Sequence, residues 1–235
     1  MTLYAGTSGF SYKEWKGSFY PEKLPAKDML SYYATRLHAV EVNNTFYRLP
    51  KKELLESWKE QVPSEFRFSV KASQRITHFK RLKDVQQESS YLLETVAALE
   101  DRLGPVLFQL PPNMKKDLER LEVFVKDLPR GTRAAFEFRH PTWLDDDVLQ
   151  VLSSGNHALC ISDTDDVPVS HIDKTADWGY LRLRRENYSK ENLMYWLKEM
   201  AKQKWTDTFV FFKHEDEGSG PKLAAEFMRL AGKGS

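Results

Sequence analysis

The chain has 235 residues, enough for one large α/β domain burying roughly 70–75% of its unfolded surface, and no second domain is needed. Its 35 basic and 34 acidic residues nearly cancel, which excludes a global field drawing it to nucleic acid or an anionic membrane and leaves any anion site local. A single cysteine, Cys160, excludes an intrachain disulfide and a thiolate zinc cluster.

No basic stretch followed by an apolar core opens the chain, and no apolar run approaches 18 residues, so the expectation is a cytoplasmic protein without a membrane partner. Segments rich in β-formers alternate with segments of helical period. The strand pattern falls at residues 3–8, 39–45, 66–72, 105–110, 133–139, 158–163, 179–183 and 208–213. Helical patterns fall at 28–37, 51–60, 83–103, 115–128, 144–153, 190–202 and 222–230. Leu92, Val96, Leu99 and Leu103 form the clearest apolar stripe, with Gly104 as its stop. Only the sixth crossover, 164–178, lacks a helical pattern. This alternation predicts a single (β/α)8 TIM-type barrel over residues 1–235 with an irregular sixth crossover. A doubly wound sheet usually needs five or six strands, and Gly6-Thr7-Ser8-Gly9 after the first strand is not a G-x-G-x-x-G turn.

The stretch 134–143 puts charge where a buried strand should have none. Ala135, Glu137 and Arg139 share one face of an extended segment, and Phe136 and Phe138 share the other. A parallel sheet covered by helices is apolar on both faces, so Glu137 and Arg139 must point into something enclosed yet polar. A barrel mouth is such a place.

Chemistry in a barrel sits at the carboxyl ends of the strands. Reading those ends gives Ser8, Glu41 and Asn43, Ser69 and Lys71, Gln109, Glu137 and Arg139, Asp163, Arg182 and Arg184, and Lys213. A self-satisfied ion-pair network is the bland explanation of such a set, and convergence at one face favours a ligand site. Glu137 is the candidate general acid or base, with Lys71 and Arg139 stabilising negative charge. Lys71 has a second possible role as an amine nucleophile. Glu41 paired with Glu137 invites a glycosidase reading. Against it, barrel glycosidases more often use strands 4 and 7, which here end in Gln109 and Arg182/Arg184.

Loops after strands 7 and 8 offer Arg184, Arg185, Lys213 and Gly218-Ser219-Gly220-Pro221, an anion pocket opposed by the adjacent Glu215, Asp216 and Glu217. Tyr12, Trp15, Phe46, Tyr47, Trp143 and Tyr188 crowd the same face, as loop core or as a stacking platform for a sugar ring or a base. His78 and His140 each lie just past a strand, where they anchor a loop or contact a ligand. The scattered histidines form no H-x-x-x-H pair, so neither a metal nor another cofactor is expected. The expected function is an enzyme acting on a small anionic compound, phosphorylated or carbohydrate-like. Its alternative is a nucleotide or nucleic-acid binder, nuclease-like or noncatalytic.

Ordered motifs carry a resemblance. Gly6-Thr7-Ser8-Gly9-Phe10-Ser11-Tyr12, Trp15 with Phe19-Tyr20-Pro21, and Val40-Glu41-Val42-Asn43-Asn44-Thr45-Phe46-Tyr47-Arg48-Leu49-Pro50 are followed by Phe68-Ser69-Val70-Lys71-Ala72 and Ile76-Thr77-His78. Phe108-Gln109-Leu110-Pro111-Pro112 and Glu137-Phe138-Arg139-His140 with Trp143 complete the set. Together they resemble the YecE-like family, domain of unknown function 72, and the resemblance implies a TIM-type barrel without supplying an activity. Two places depart from it. Arg182-Leu183-Arg184-Arg185 stands where the family often has Arg-Leu-His-Gly, and Phe212-Lys213-His214 where it often has a Phe-Asn-Asn ending. Both exchange neutral hydrogen-bonding groups for cations.

Overall fold

The computed structural model describes residues 1–166, 172–213 and 218–232. All eight β-rich segments form strands: β1 (Thr2–Ser8), β2 (Ala39–Val42), β3 (Arg67–Lys71), β4 (Leu103–Gln109), β5 (Ala134–Glu137), β6 (Ala158–Asp163), β7 (Gly179–Leu183) and β8 (Asp207–Phe212). They pair in parallel in sequence order, and β8 returns to β1, closing the barrel. Outside it lie α1 (Met29–Ala34), α2 (Lys52–Glu60), α3 (Gln86–Val96), α4 (Leu118–Asp127), α5 (Asp146–Ser154), α6 (Lys190–Lys202) and α7 (Ser219–Gly232). The described part of the sixth crossover, 164–166 and 172–178, carries no helix.

Alternation along each strand divides the core in two. Ala135, Leu107, Ala39, Cys160 and Tyr180 pack with Phe209 and Phe211 inside the barrel, while Phe136, Phe108, Val40, Ile161 and Leu181 face the helices. Phe136 packs against Phe108 at 5.5 Å and against Phe124 of α4 at 6.1 Å between ring centroids. Tyr4 stacks on Phe209 at 4.9 Å within the barrel. The lumen is therefore filled, as small barrels are, and its carboxyl end is lined by polar side chains.

Element boundaries differ from expectation where local chemistry competes with periodicity. The pattern over 83–103 ends as an α-helix at Val96, and a 3-10 turn follows through Arg102 in which Glu100 takes a φ of 50°. Leu103 then opens β4. Strand 2 stops at Val42 because Thr45 leaves the ladder: its Oγ1 lies 2.9 Å from Val42 O and 2.7 Å from Lys71 O. The 3-10 turn Asn44–Phe46 this creates carries Phe46 to the mouth beside Lys71. β5 ends at Glu137, so Arg139 sits two residues beyond the strand. Gly9 terminates β1 at φ +93°, where a Cβ would meet the Tyr12 hydroxyl at 2.4 Å. That close approach lets Tyr12 donate to Ser8 O at 2.7 Å.

Candidate functional site

Strand register builds the site from the walls inward. Ser8 pairs with Glu41, Glu41 with Ser69, and Gln109 with Glu137, so these side chains share one level of the barrel. Arg182 reaches across from β7. Its Nη2 donates to Glu41 Oε1 at 2.9 Å and its Nη1 to Glu137 Oε2 at 2.5 Å, with Gln109 Oε1 at 3.4 Å from Nη1. Both glutamates are fully buried and Arg182 is 3% exposed.

Glu41 has further donors: Ser8 Oγ at 2.7 Å, Asn43 Nδ2 at 3.1 Å and, on its other oxygen, the Tyr180 hydroxyl at 2.7 Å. Burial pushes its carboxyl up, and the Arg182 guanidinium with the hydroxyls of Ser8 and Tyr180 more than offsets this, leaving it below the usual carboxylate range. Glu137 follows the same logic with more cations. Arg139 Nε donates to its Oε1 at 2.9 Å, and Arg184 Nη1 stands 3.8 Å from that oxygen. Against the upward push of burial, Arg182, Arg139 and Arg184 hold it at about 2. A group so far below neutrality is a fixed negative charge, which argues against the expected acid or base role and for a counter-ion role.

Lys71 is the fourth cation. Its Nζ lies 4.2 Å from the Phe46 ring centroid and makes no ion pair among the described residues. Burial lowers its ammonium to about 8, helped by Arg182 and Arg139 and opposed by Glu41 and Glu137. His78 meets the same phenyl ring edge-on at 4.9 Å, with Nδ1 2.9 Å from the Thr77 hydroxyl. It too is held below its ordinary pKa, by burial first and then by Lys71 and Arg139. A π-helical turn, Arg75–Phe79, presents His78, and left-handed φ values at Arg81, Leu82 and Asp84 fold the loop behind it.

Other expected site residues are placed elsewhere. Asp163 continues the helix-facing side of Leu159 and Ile161, out of phase with the lumen, and takes Arg185 Nη2 at 2.8 Å and the Tyr188 hydroxyl at 3.0 Å. Arg185 is thereby committed to an ion pair behind the sheet. Trp143 is 1% exposed, stacks on Phe138 at 4.7 Å and donates to Met114 O at 2.7 Å. Trp15 is equally buried, among Tyr12, Phe19 and Tyr20. His140 caps the turn Pro141–Trp143 through Thr142. Tyr47 stands open at the rim, 74% exposed. Lys213 follows β8, its backbone N–H donating to Leu183 O at 3.2 Å. His214, Glu215, Asp216 and Glu217 lie outside the described residues.

Two residues here were not among the expected site. Tyr180 was legible, because alternation from Arg182 puts it in the lumen. Phe46 is one of several rim aromatics that the sequence alone does not tell apart. Among the described residues no three His, Cys, Asp or Glu side chains are placed to hold a metal ion, and no helix is long and apolar enough to cross a membrane.

Comparison with known proteins places this geometry in a family. The family model "Protein of unknown function DUF72" matches residues 4–235. UPF0759 protein YecE of Escherichia coli K12 is 32% identical over 130 residues, covering 54% of this chain and 48% of that protein. UPF0759 protein YunF of Bacillus subtilis is 28% identical over 149 residues, covering 60% and 52%. The matched segments thus span about half the length of these curated relatives. The crystal structure of a DUF72 family protein from Thermotoga maritima superposes with a TM-score of 0.86 at 27% identity, covering 98% of this chain and 99% of that one. The chain belongs to the DUF72 family, and it has the closed eight-stranded parallel barrel of a TIM-type fold.

Proposed function

We propose that this protein is an enzyme that binds a small anionic molecule, phosphorylated or carbohydrate-like, at the mouth of the barrel. One observation carries the reading: among the described residues four basic groups, Arg182, Arg139, Arg184 and Lys71, converge on two carboxylates, Glu41 and Glu137. Arg182 consumes much of both carboxylates, and what remains is a surplus of positive charge in a partly desolvated enclosure. Arg184 feels it directly, since burial and Arg182 lower its pKa and its buried Nε makes no hydrogen bond among the described residues. A ligand anion would relieve that surplus at low dielectric, where a charge-assisted hydrogen bond is strong.

The division of labour follows. Glu41, Glu137 and Arg182 form a fixed scaffold; Arg139 and Arg184 hold the anion; Lys71 and His78, both beside Phe46, are the groups left to move a proton. Tyr47 at the rim favours a ligand with a ring to stack, which keeps a nucleotide as the second reading.

A thermal-shift screen against sugar phosphates, nucleotides and short oligonucleotides tests both. A ligand at 100 times its Kd adds roughly 2.7 kcal/mol of stability. Arg184→Ala should weaken a phosphorylated ligand much more than its unphosphorylated analogue, and equal losses would remove the anion reading. Oligonucleotide binding that falls steeply with salt would favour the second.

A further inference from the structure

We propose that Lys71 is an amine nucleophile that forms an imine with a small aldehyde or ketone bearing an acid group. The inference rests on the anionic reading of the mouth and adds the reactive group the ligand must carry. A lysine serving only as a charge ordinarily takes a carboxylate. Here, among the described residues, the two carboxylates within the enclosure take their hydrogen bonds from guanidiniums, hydroxyls and an amide, and Lys71 lies against an aromatic face at 4.2 Å. Burial first, then Arg182 and Arg139, press on its charge against the pull of Glu41 and Glu137 and hold the ammonium at about 8, so more of it is free amine near neutral pH than in an ordinary lysine. It stands at the carboxyl end of β3, where barrel chemistry is done.

The step balances without any further reagent. The amine lone pair attacks the carbonyl carbon, forming the C–N bond and moving the π pair to oxygen. A proton passes from nitrogen to that oxygen, and the carbinolamine hydroxyl is protonated and leaves as water as the nitrogen lone pair closes the C=N bond. One ammonium and one carbonyl thus become one protonated imine and one water. His78, on the same phenyl ring, is the group placed to carry the proton. Arg139 and Arg184 take the acid group, which fixes the carbonyl end over Lys71.

The test treats the whole protein at pH 7.5 with glycolaldehyde phosphate, glyoxylate or neutral glycolaldehyde, adds sodium borohydride, and maps reduced adducts by peptide mass spectrometry. Lys71 should be labelled at least tenfold more than the surface lysines, with the acid-bearing probes outperforming glycolaldehyde and losing that advantage in Arg184→Ala. Labelling of Lys71 no higher than at surface lysines would overturn the imine. Phosphate binding measured in parallel shows whether the anion reading survives that result. Selective labelling by all three probes alike would overturn the acid-bearing substrate class while leaving the nucleophile. The wild-type map decides each outcome even if Lys71→Met, the no-adduct control, folds poorly.

Discussion

Arg182 and Glu137 meet across the barrel with Nη1 2.5 Å from Oε2, and the other guanidinium nitrogen of Arg182 is bound to Glu41. One cation on β7 thereby ties β2 to β5 through the lumen. Breaking such a buried group by removing one member typically costs about 3–5 kcal/mol, because the others are left uncompensated. Glu137→Gln and Arg182→Met should each lower the urea unfolding free energy by that order. A loss below about 1 kcal/mol in either would mean that the ion pairs are not a structural scaffold.

Tyr180 is the only hydroxyl on Glu41 Oε2 among the described residues, and Ser69 stands 2.7 Å behind it. Tyr180→Phe leaves the shape and removes the donor. A hydrogen bond to a charged group is worth about 1.5–3 kcal/mol, so that is the expected loss in the same unfolding measurement, and an unchanged midpoint would refute the assignment.

Acid stability should fall in two stages. His157 is buried against Phe136, and burial lowers its imidazole from 6.5 to about 4. Its folded pKa is depressed, so the unfolded chain binds the proton first and stability falls as pH drops from about 6.5 towards 4, by on the order of 3 kcal/mol. Glu137, lowered from 4.5 to about 2, then withdraws its contribution between those values. His157→Gln should flatten the upper stage and leave the lower one. A variant with the wild-type slope above pH 4.5 would show that His157 is not the group responsible.

Much of this arrangement can be read from the sequence, because strand alternation alone sends Glu41, Glu137, Arg182 and Arg184 into the lumen. The same rule, applied to Asp163 from Leu159 and Ile161, would have sent it to the helix side, where it holds Arg185. Two adjacent arginines, Arg184 and Arg185, thus belong to different environments by one residue of phase. Distances across the barrel are what sequence cannot supply. That a single guanidinium neutralises carboxylates from β2 and β5, and so holds Glu137 as a fixed charge, follows only from closure of the sheet. Trp15 and Trp143 are a similar case: rim aromatics and loop core have the same composition, and only burial separates them.

Arg184 should matter little to the fold. Arg184 stands 3.8 Å from Glu137, and burial with the neighbouring Arg182 and Arg139 works against its charge. Arg184→Ala is expected to unfold within about 1 kcal/mol of the parent, as a marginal ion pair does. A loss of several kcal/mol would reclassify it as scaffold.

The most direct measurement is a calorimetric titration of the protein with inorganic phosphate at low ionic strength, repeated on the Arg139→Ala, Arg184→Ala double variant. Saturable binding by the parent that disappears in a folded double variant is the predicted result. Absence of saturable binding, or binding that survives loss of both arginines, would contradict an anion site at the mouth of the barrel.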